Sequence, residues 1–159
     1  MAFVKSSKRL LIKKQEMVLI KASQEVQNTE IYGNLYDCLE SYDKISEEDL
    51  DKNVVFDDKA RIVLINPSNK KQMMEKIQEE WYSIKNFEIS DSKTHCQLCG
   101  RINKYIFYIK NRYTDTELHI GSECVKNYPD ITGIKQQQKE LSQLQKEEKL
   151  RQRKIEFEA

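Results

Sequence analysis

Three cysteines spaced to hold a metal ion constrain this chain more than any other feature of its sequence. They fall within 29 residues, as Cys96-Gln-Leu-Cys99-Gly100 and then Gly121-Ser-Glu-Cys124-Val. A Cys-x2-Cys pair followed by glycine is typical of a tight knuckle that presents two thiolates to one zinc ion, because glycine permits the left-handed turn. The spacing therefore predicts a structural Zn²⁺ centre held by Cys96, Cys99 and Cys124.

The residues between these cysteines predict the scaffold of the centre. Residues 105–109 (YIFYI) favour a strand, residues 111–116 a turn and residues 118–120 a return strand. Ser122 can then cap a short helix with Cys124 in its first turn, where the helix dipole favours a thiolate. A knuckle, a hairpin and a ligand at a helix N-terminus form the treble-clef arrangement of zinc proteins.

A structural zinc ion needs a fourth ligand. His119 is the preferred candidate because it ends the return strand beside Cys124. His95 adjoins Cys96, and neighbours in extended chain point to opposite sides. Cys38 or a water molecule are the other options. Unligated core cysteines remain the alternative to a metal centre, and a thioredoxin-like redox pair lacks its βαβ context.

The same residues carry a resemblance to a known module. The run Cys96-Gln-Leu-Cys-Gly, the aromatic strand and Leu118-His-Ile-Gly-Ser-Glu-Cys-Val resemble a recurrent module in small phage and mobile-element proteins of Gram-positive bacteria. It covers about residues 95–128. The resemblance implies a treble-clef-like structural zinc module without enzymatic activity, in which the position of His119 is usually apolar.

The rest of the chain predicts a small mixed α+β domain. It divides into an N-terminal α+β region (1–90), the zinc module (95–130) and a long C-terminal helix (134–159). That helix is expected to be mostly exposed, with a sparse apolar seam of Ile134, Leu141, Leu144 and Ile155 that allows a homodimer. Within the first region the sequence predicts a helix or hairpin over 9–27, a short helix over 34–45 and a helix start capped by Ser46. Strands are then predicted at 54–56 and 60–65, followed by a helix from Ser68 to about Phe87. A polar linker over 89–94 leads to the zinc module.

The predicted helix from Ser68 depends on one apolar stripe. Met74, Ile77, Trp81 and Ile84 recur at helical spacing, which predicts one face packed against the core.

Composition limits where the chain can reside. It is 38% hydrophobic and 33% charged, so a modest core is expected to need support from a metal. No apolar run is long enough for a membrane-spanning helix, and the N-terminus lacks the core of a signal peptide. A cytoplasmic location with reduced thiols is expected, in a bacterial host if the chain is of phage origin.

Charge patterning suggests a protein partner. Residues 28–60 contain ten acidic and three basic residues, and the preceding 27 residues are basic. The sequence therefore favours a non-enzymatic regulator or inhibitor of a nucleic-acid-handling enzyme, for example a defence nuclease such as a CRISPR effector. Its candidate partner-binding residues are Glu47, Glu48, Asp49, Asp57 and Asp58.

The alternative function is direct nucleic-acid binding. Basic and aromatic side chains on the hairpin can contact phosphates and stack bases. These candidates are Lys104, Tyr105, Phe107, Lys110 and Arg112. A treble-clef nuclease is not favoured, because its first strand needs a histidine base and residues 103–111 contain none.

Overall fold

The computed structural model describes residues 9–52, 55–91 and 94–158, and the side chains up to residue 154. The chain folds as a mixed α+β domain, which confirms the predicted fold class. Its strands are β1 (Leu10–Ile12), β2 (Ile45–Ser46), β3 (Trp81–Ser83), β4 (Glu88–Ile89), β5 (Tyr105–Asn111) and β6 (Glu117–Gly121). Its helices are α1 (Lys14–Lys21), α2 (Thr29–Tyr32), α3 (Leu35–Cys38), α4 (Glu47–Lys52), α5 (Asp58–Ile65), α6 (Pro67–Glu79), α7 (Ser122–Val125) and α8 (Ile134–Glu158).

Within residues 9–27 the predicted helix is present as α1, and the alternative hairpin is not formed, because residues 18–20 lie in that helix. β1 pairs antiparallel with β2, and α1 follows directly. Residues 34–45 form α3 and a 3₁₀ turn (Leu39–Ser41) in place of one helix. The predicted helix start at Ser46 is confirmed, because the Asp49 N–H donates to the Ser46 hydroxyl (3.3 Å) and the Ser46 N–H donates to the Asp49 carboxylate (2.8 Å).

The prediction of two strands around residues 57–59 is wrong. Residues 60–65 lie in α5, and Asp57 caps this helix by accepting a hydrogen bond from the Ala60 N–H at 3.0 Å. Ala60, Val63 and Leu64 are buried, which is helical spacing within a β-branched run. The first predicted strand covers residues 54–56. Val55 and Phe56 are not in a strand, and Val54 lies outside the described residues.

The helix predicted from Ser68 to Phe87 is shorter than expected. α6 is capped by Asn66, whose side chain accepts from the Ser68 N–H, and it ends at Glu79. Trp81 begins β3 and pairs with Asn111, so strand pairing replaces the helical stripe beyond Ile77. Ile84 is exposed.

The central sheet is organised around β5. β6 pairs along one edge of β5, which confirms the predicted hairpin, and β3 and β4 share the other edge. Ser83 pairs with Ile109 and Glu88 pairs with Ile106. The chain therefore advances five residues between β3 and β4 while β5 advances three, so the segment between β3 and β4 bulges from the sheet edge. β4 therefore occupies the start of the predicted linker at Ile89; Ser92 and Lys93 of that linker lie outside the described residues.

One hydrophobic core joins all parts of the chain. Its buried members come from α1, α5, α6, the hairpin and α8, and they include Cys96 and Leu98 of the segment before β5 and Cys124 of α7. The segment that contains the three cysteines is thus packed into the same core as the N-terminal helices.

A buried polar node connects the N-terminal region to the hairpin. The Glu80 carboxylate is 4% exposed and accepts hydrogen bonds from the Ser23 hydroxyl, the Gln24 N–H (2.7 Å), the Glu25 N–H (3.1 Å) and the Asn111 amide (3.4 Å). The Asn111 amide also donates to the Ala22 carbonyl at 3.3 Å. The node lies directly after the end of α6. Its hydrogen bonds hold the tip of the hairpin against the segment that follows α1.

The C-terminal helix is mostly exposed over its described side chains, as predicted, and its apolar seam docks on the domain over the first half of the helix. Ile134, Gln137 and Leu141 are buried, and the Phe87 N–H donates to the Gln137 side chain at 2.7 Å. Beyond Leu144 the described side chains are largely exposed, including Leu150. Among the described helices, none combines the length and apolar character needed to cross a membrane.

Candidate metal centre

The three predicted cysteines come together in the structure. The sulfur atoms of Cys96, Cys99 and Cys124 all lie within 4.8 Å of one another, which is close enough for one metal ion. Cys96 and Cys124 are buried, and Cys99 is the exposed member. The convergence of three thiols is the donor set that soft and borderline metals such as zinc prefer.

Backbone hydrogen bonds build the knuckle. The Cys96 N–H donates to the Arg101 carbonyl and the Gly100 N–H to the Cys96 carbonyl, both at 2.8 Å. Gly100 has φ of 76°, a conformation that glycine adopts without strain. The Leu98 N–H then points at the Cys96 sulfur at 3.4 Å. The turn therefore positions two thiols and supplies donors to one of them.

The hairpin orients the knuckle through a reciprocal pair of hydrogen bonds. The Gln97 N–H donates to the His119 carbonyl at 3.0 Å, and the His119 N–H donates to the Gln97 side chain at 2.7 Å. At the end of β6 the Asn103 side chain lies directly against the Gly121 Cα, leaving no room for a Cβ atom. Glycine at this position lets the knuckle approach α7.

The third cysteine lies in the first turn of α7, as predicted. The helix begins at Ser122, and Gly121 occupies the N-cap position without a side-chain cap. The prediction that Ser122 is the cap is therefore one residue out of register, because β6 continues through Gly121.

The thiols have opposing electrostatic environments. Burial opposes ionisation of Cys96, but the backbone N–H groups of Gly121, Cys99 and Leu98 outweigh it and lower the pKa of its thiol. Burial, hydrogen bonds to Cys99 and Cys96 and their negative charge raise the pKa of Cys124. The negative charge of one thiolate thus disfavours ionisation of the neighbouring thiol, and a bound divalent cation would neutralise this repulsion.

The structure does not bring either histidine into the cysteine group. Leu118 and Ile120 are buried, so the alternation of β6 directs His119 to the opposite face, beside Tyr108. The His95 Nδ1 lies 2.9 Å from the Gly100 carbonyl oxygen and supports the knuckle from outside. The geometry therefore gives His119 no support as the fourth ligand.

The third candidate, Cys38, lies elsewhere in the fold. It ends α3, and its sulfur contacts the Val55 carbonyl at 3.8 Å. It is absent from the group of convergent ligands among the described residues.

A cleft of about 590 Å³ opens beside the cysteines. Cys99 and Cys124 lie in its wall, and the Cys124 thiol donates to the side-chain oxygen (Oε1) of Gln15 in α1 at 3.7 Å. Sequence reasoning missed Gln15 and Asn103, because no local pattern distinguishes a glutamine or asparagine that tertiary packing brings to the wall of this cleft. The remaining polar lining residues are Lys13, Lys14, Arg101, Asn103, Glu123 and Asn127.

Most of the acidic residues singled out in the sequence are used within the fold. Glu47 pairs with Arg9 at 3.0 Å, and Glu48 pairs with Lys52 at 2.6 Å. Asp49 and Asp57 are helix-capping residues, and Asp57 also accepts from the Asn34 N–H at 2.9 Å. Asp58 is exposed in the first turn of α5.

The two aromatic residues predicted to stack on nucleic-acid bases do not face solvent. Tyr105 and Phe107 are buried and pack around Phe87, so base stacking on them is excluded in this fold. Lys110 lies 3.9 Å from Asp115. Of the other candidates, the Lys104 ammonium lies over the Tyr105 ring and the Arg112 guanidinium over the Tyr82 ring.

Comparison with known proteins gives no significant match: no family model, no curated protein and no solved structure matches this chain. The resemblance to phage modules stays a prediction.

Proposed function

We propose that Cys96, Cys99 and Cys124 bind one Zn²⁺ ion with a structural role. The observation that supports this most strongly is the convergence of the three sulfurs within 4.8 Å from two separate elements, the knuckle and the start of α7. Zinc provides no redox chemistry and holds thiolates in tetrahedral geometry, so it suits a site that links a turn to a helix. The ion would compensate for the modest core of a highly charged chain.

Metal analysis of single cysteine variants tests this proposal. Protein purified without chelator is expected to contain one equivalent of zinc, and Cys96→Ser or Cys124→Ser is expected to lose it. Cys38→Ser is the matched control, because that thiol lies outside the group. Equal zinc content in all variants would contradict the assignment.

We propose that the zinc-stabilised domain acts without catalysis, as a regulator or inhibitor that binds a basic surface of a nucleic-acid-handling protein. Support comes from the acidic side chains that the fold leaves uncommitted. Six of them are exposed, take no part in helix capping and have no ion-pair partner among the described residues: Glu30, Asp37, Glu40, Asp43, Asp51 and Asp58. Carboxylates on one segment can occupy positions that phosphates take on a basic partner, and their charge speeds association.

Charge reversal tests the role of the acidic surface. Asp43→Lys/Asp51→Lys is expected to lose a partner that wild-type protein retains in affinity purification. Glu79→Lys/Glu147→Lys is the control, because it changes net charge equally at exposed positions outside this segment. If both variants retain the partner equally, the proposal is contradicted. If wild-type protein without any partner shifts nucleic acid in a gel in a salt-dependent way, direct nucleic-acid binding is supported instead.

We propose that the protein resides in the cytoplasm, and its cysteines support this. All four are free thiols, including three in mutual proximity. Thiols stay reduced and available to metal in that compartment.

A further inference from the structure

The cysteine group is incomplete as a metal site within the described part of the chain. Zinc takes four ligands, and no other cysteine, histidine, aspartate or glutamate described in the structure joins the three sulfurs. Residues 1–8, 53–54, 92–93 and 159, which lie outside the described part, contain none of these residue types. The side chains of Glu156 and Glu158, near the end of α8, also lie outside it. A fourth ligand from solution is the natural completion of such a site.

The open side of the group is the cleft that contains Cys99 and Cys124 in its wall. Its volume of about 590 Å³ exceeds what a single water molecule occupies, so a small polyatomic ligand has room. Side-chain amides of Gln15, Asn103 and Asn127 line it and can hydrogen-bond to a bound molecule.

The charges of the cleft favour an anion. Lys13, Lys14 and Arg101 line it, are exposed, and form no ion pair with any described residue. The acidic lining residue, Glu123, pairs with Lys126 at 3.2 Å, outside the lining. Zinc with three thiolates carries a formal charge of −1, so an anion binds there only where nearby cations offset the repulsion.

We propose that the metal centre has an exchangeable fourth position facing this cleft, which binds a small anion with an oxygen or nitrogen donor. The anion coordinates the metal, and Lys14 and Arg101 attract it through their charge. This inference rests on the proposed metal binding by the three cysteines. It adds a ligand-binding role to a centre that otherwise only stabilises the fold.

Cobalt substitution with azide as the probe tests the inference. Co²⁺ bound to the full chain gives visible absorption that reports its coordination, and azide is expected to change that spectrum saturably. Lys14→Glu/Arg101→Glu is expected to weaken azide binding by about tenfold or more, because two nearby charges are reversed. Lys146→Glu/Lys149→Glu is the matched control on the exposed part of α8 and is expected to leave azide affinity unchanged.

The outcomes separate this inference from the metal site itself. Full cobalt binding with a spectrum insensitive to azide overturns the open position and leaves the metal site intact. A change in the azide-free spectrum of His119→Ala or Glu123→Gln identifies an internal fourth ligand and also overturns it. Equal azide affinity in both charge-reversed variants overturns the role of the cleft cations. Absence of cobalt binding disproves the metal site and the inference together.

Discussion

At the scale of single residues, Glu80 is the most constrained side chain outside the metal centre. Its carboxylate is buried and accepts from four donors, and no cation pairs with it among the described residues. Because hydrogen bonds alone stabilise this carboxylate, its contribution to stability depends on both oxygens accepting from the surrounding donors, and a donor left without an acceptor is costly.

Replacing this carboxylate with an amide is expected to destabilise the fold. Glu80→Gln turns an NH₂ group toward N–H donors, so we expect a loss of about 2–4 kcal/mol in the free energy of unfolding, measured by urea denaturation. Glu79→Gln makes the same chemical change at an exposed position and is expected to alter stability by less than about 0.5 kcal/mol. Similar losses in both variants would show that the node is not stabilising.

Gly121 is the residue on which the approach of the knuckle depends. Gly121→Ala places a methyl group against the Asn103 side chain, and the overlap is expected to cost roughly 1–3 kcal/mol and to weaken metal binding. Removing the obstacle in Gly121→Ala/Asn103→Ala is expected to recover part of that loss in a double-mutant cycle followed by thermal unfolding. Strict additivity of the two changes would contradict direct contact.

What the sequence could reveal at this scale depended on local spacing. Cys96, Cys99 and Cys124 were identifiable because a knuckle and a helix start are local patterns. Glu80 and Gln15 were not, because their partners lie 31 to 109 residues away along the chain. His119 was chosen for its proximity in sequence, whereas strand alternation directs its ring away from the core face.

At the scale of elements, local signals predicted some elements correctly and failed where a β-branched run or tertiary pairing decided the outcome. The helix start at Ser46 and the hairpin of β5 and β6 were predicted correctly. Residues 60–65 were assigned to a strand on β-branched content, although Asp57 had the position of a helix cap and Ala60, Val63 and Leu64 had helical spacing. Pairing of Trp81 with Asn111 across the sheet could not be inferred from the local pattern of α6.

Truncation separates the docked half of α8 from its exposed half. Ending the chain after Gln145 removes no side chain known to be buried and is expected to change the free energy of unfolding by less than about 1 kcal/mol. Ending it after Gln138 also removes Leu141 and is expected to cost about 2–4 kcal/mol. Hydrogen exchange provides a second measurement: residues 146–154 should exchange rapidly and residues 134–141 slowly.

Slow exchange over residues 146–154 would instead indicate a partner for that segment. Homodimerisation through α8 stays a prediction, and the same truncation followed by measurement of molecular mass in solution tests it.

At the scale of the whole molecule, the proposed metal centre and the N-terminal helices share one core. Loss of the ion is therefore expected to destabilise the entire domain, since Leu98, Val125 and Tyr128 pack beside residues of the other elements. Excess chelator should lower the melting temperature by about 10 °C or more, corresponding to at least ~4 kcal/mol of linked binding energy.

Two probes can follow this transition. Fluorescence of the fully buried Trp81 reports the sheet, and far-ultraviolet circular dichroism reports the helices. The unfolding curves from the two probes are expected to coincide with each other, both in the presence and in the absence of chelator. Loss of helical signal at unchanged Trp81 fluorescence would show that the centre and the sheet unfold independently.

The Ala22 carbonyl has a consequence for how the protein is made. It accepts hydrogen bonds from Asn111 and Thr114, which follow it by 89 and 92 residues. At a synthesis rate of ~5–20 residues per second, the ribosome needs roughly 5–20 s to produce those partners after Ala22. During that interval the helices of the N-terminal region have no sheet to cover them. Arrested nascent chains should therefore stay protease-sensitive around residues 22–25 until the hairpin has left the exit tunnel, and the interval defines when a holding chaperone has most to bind.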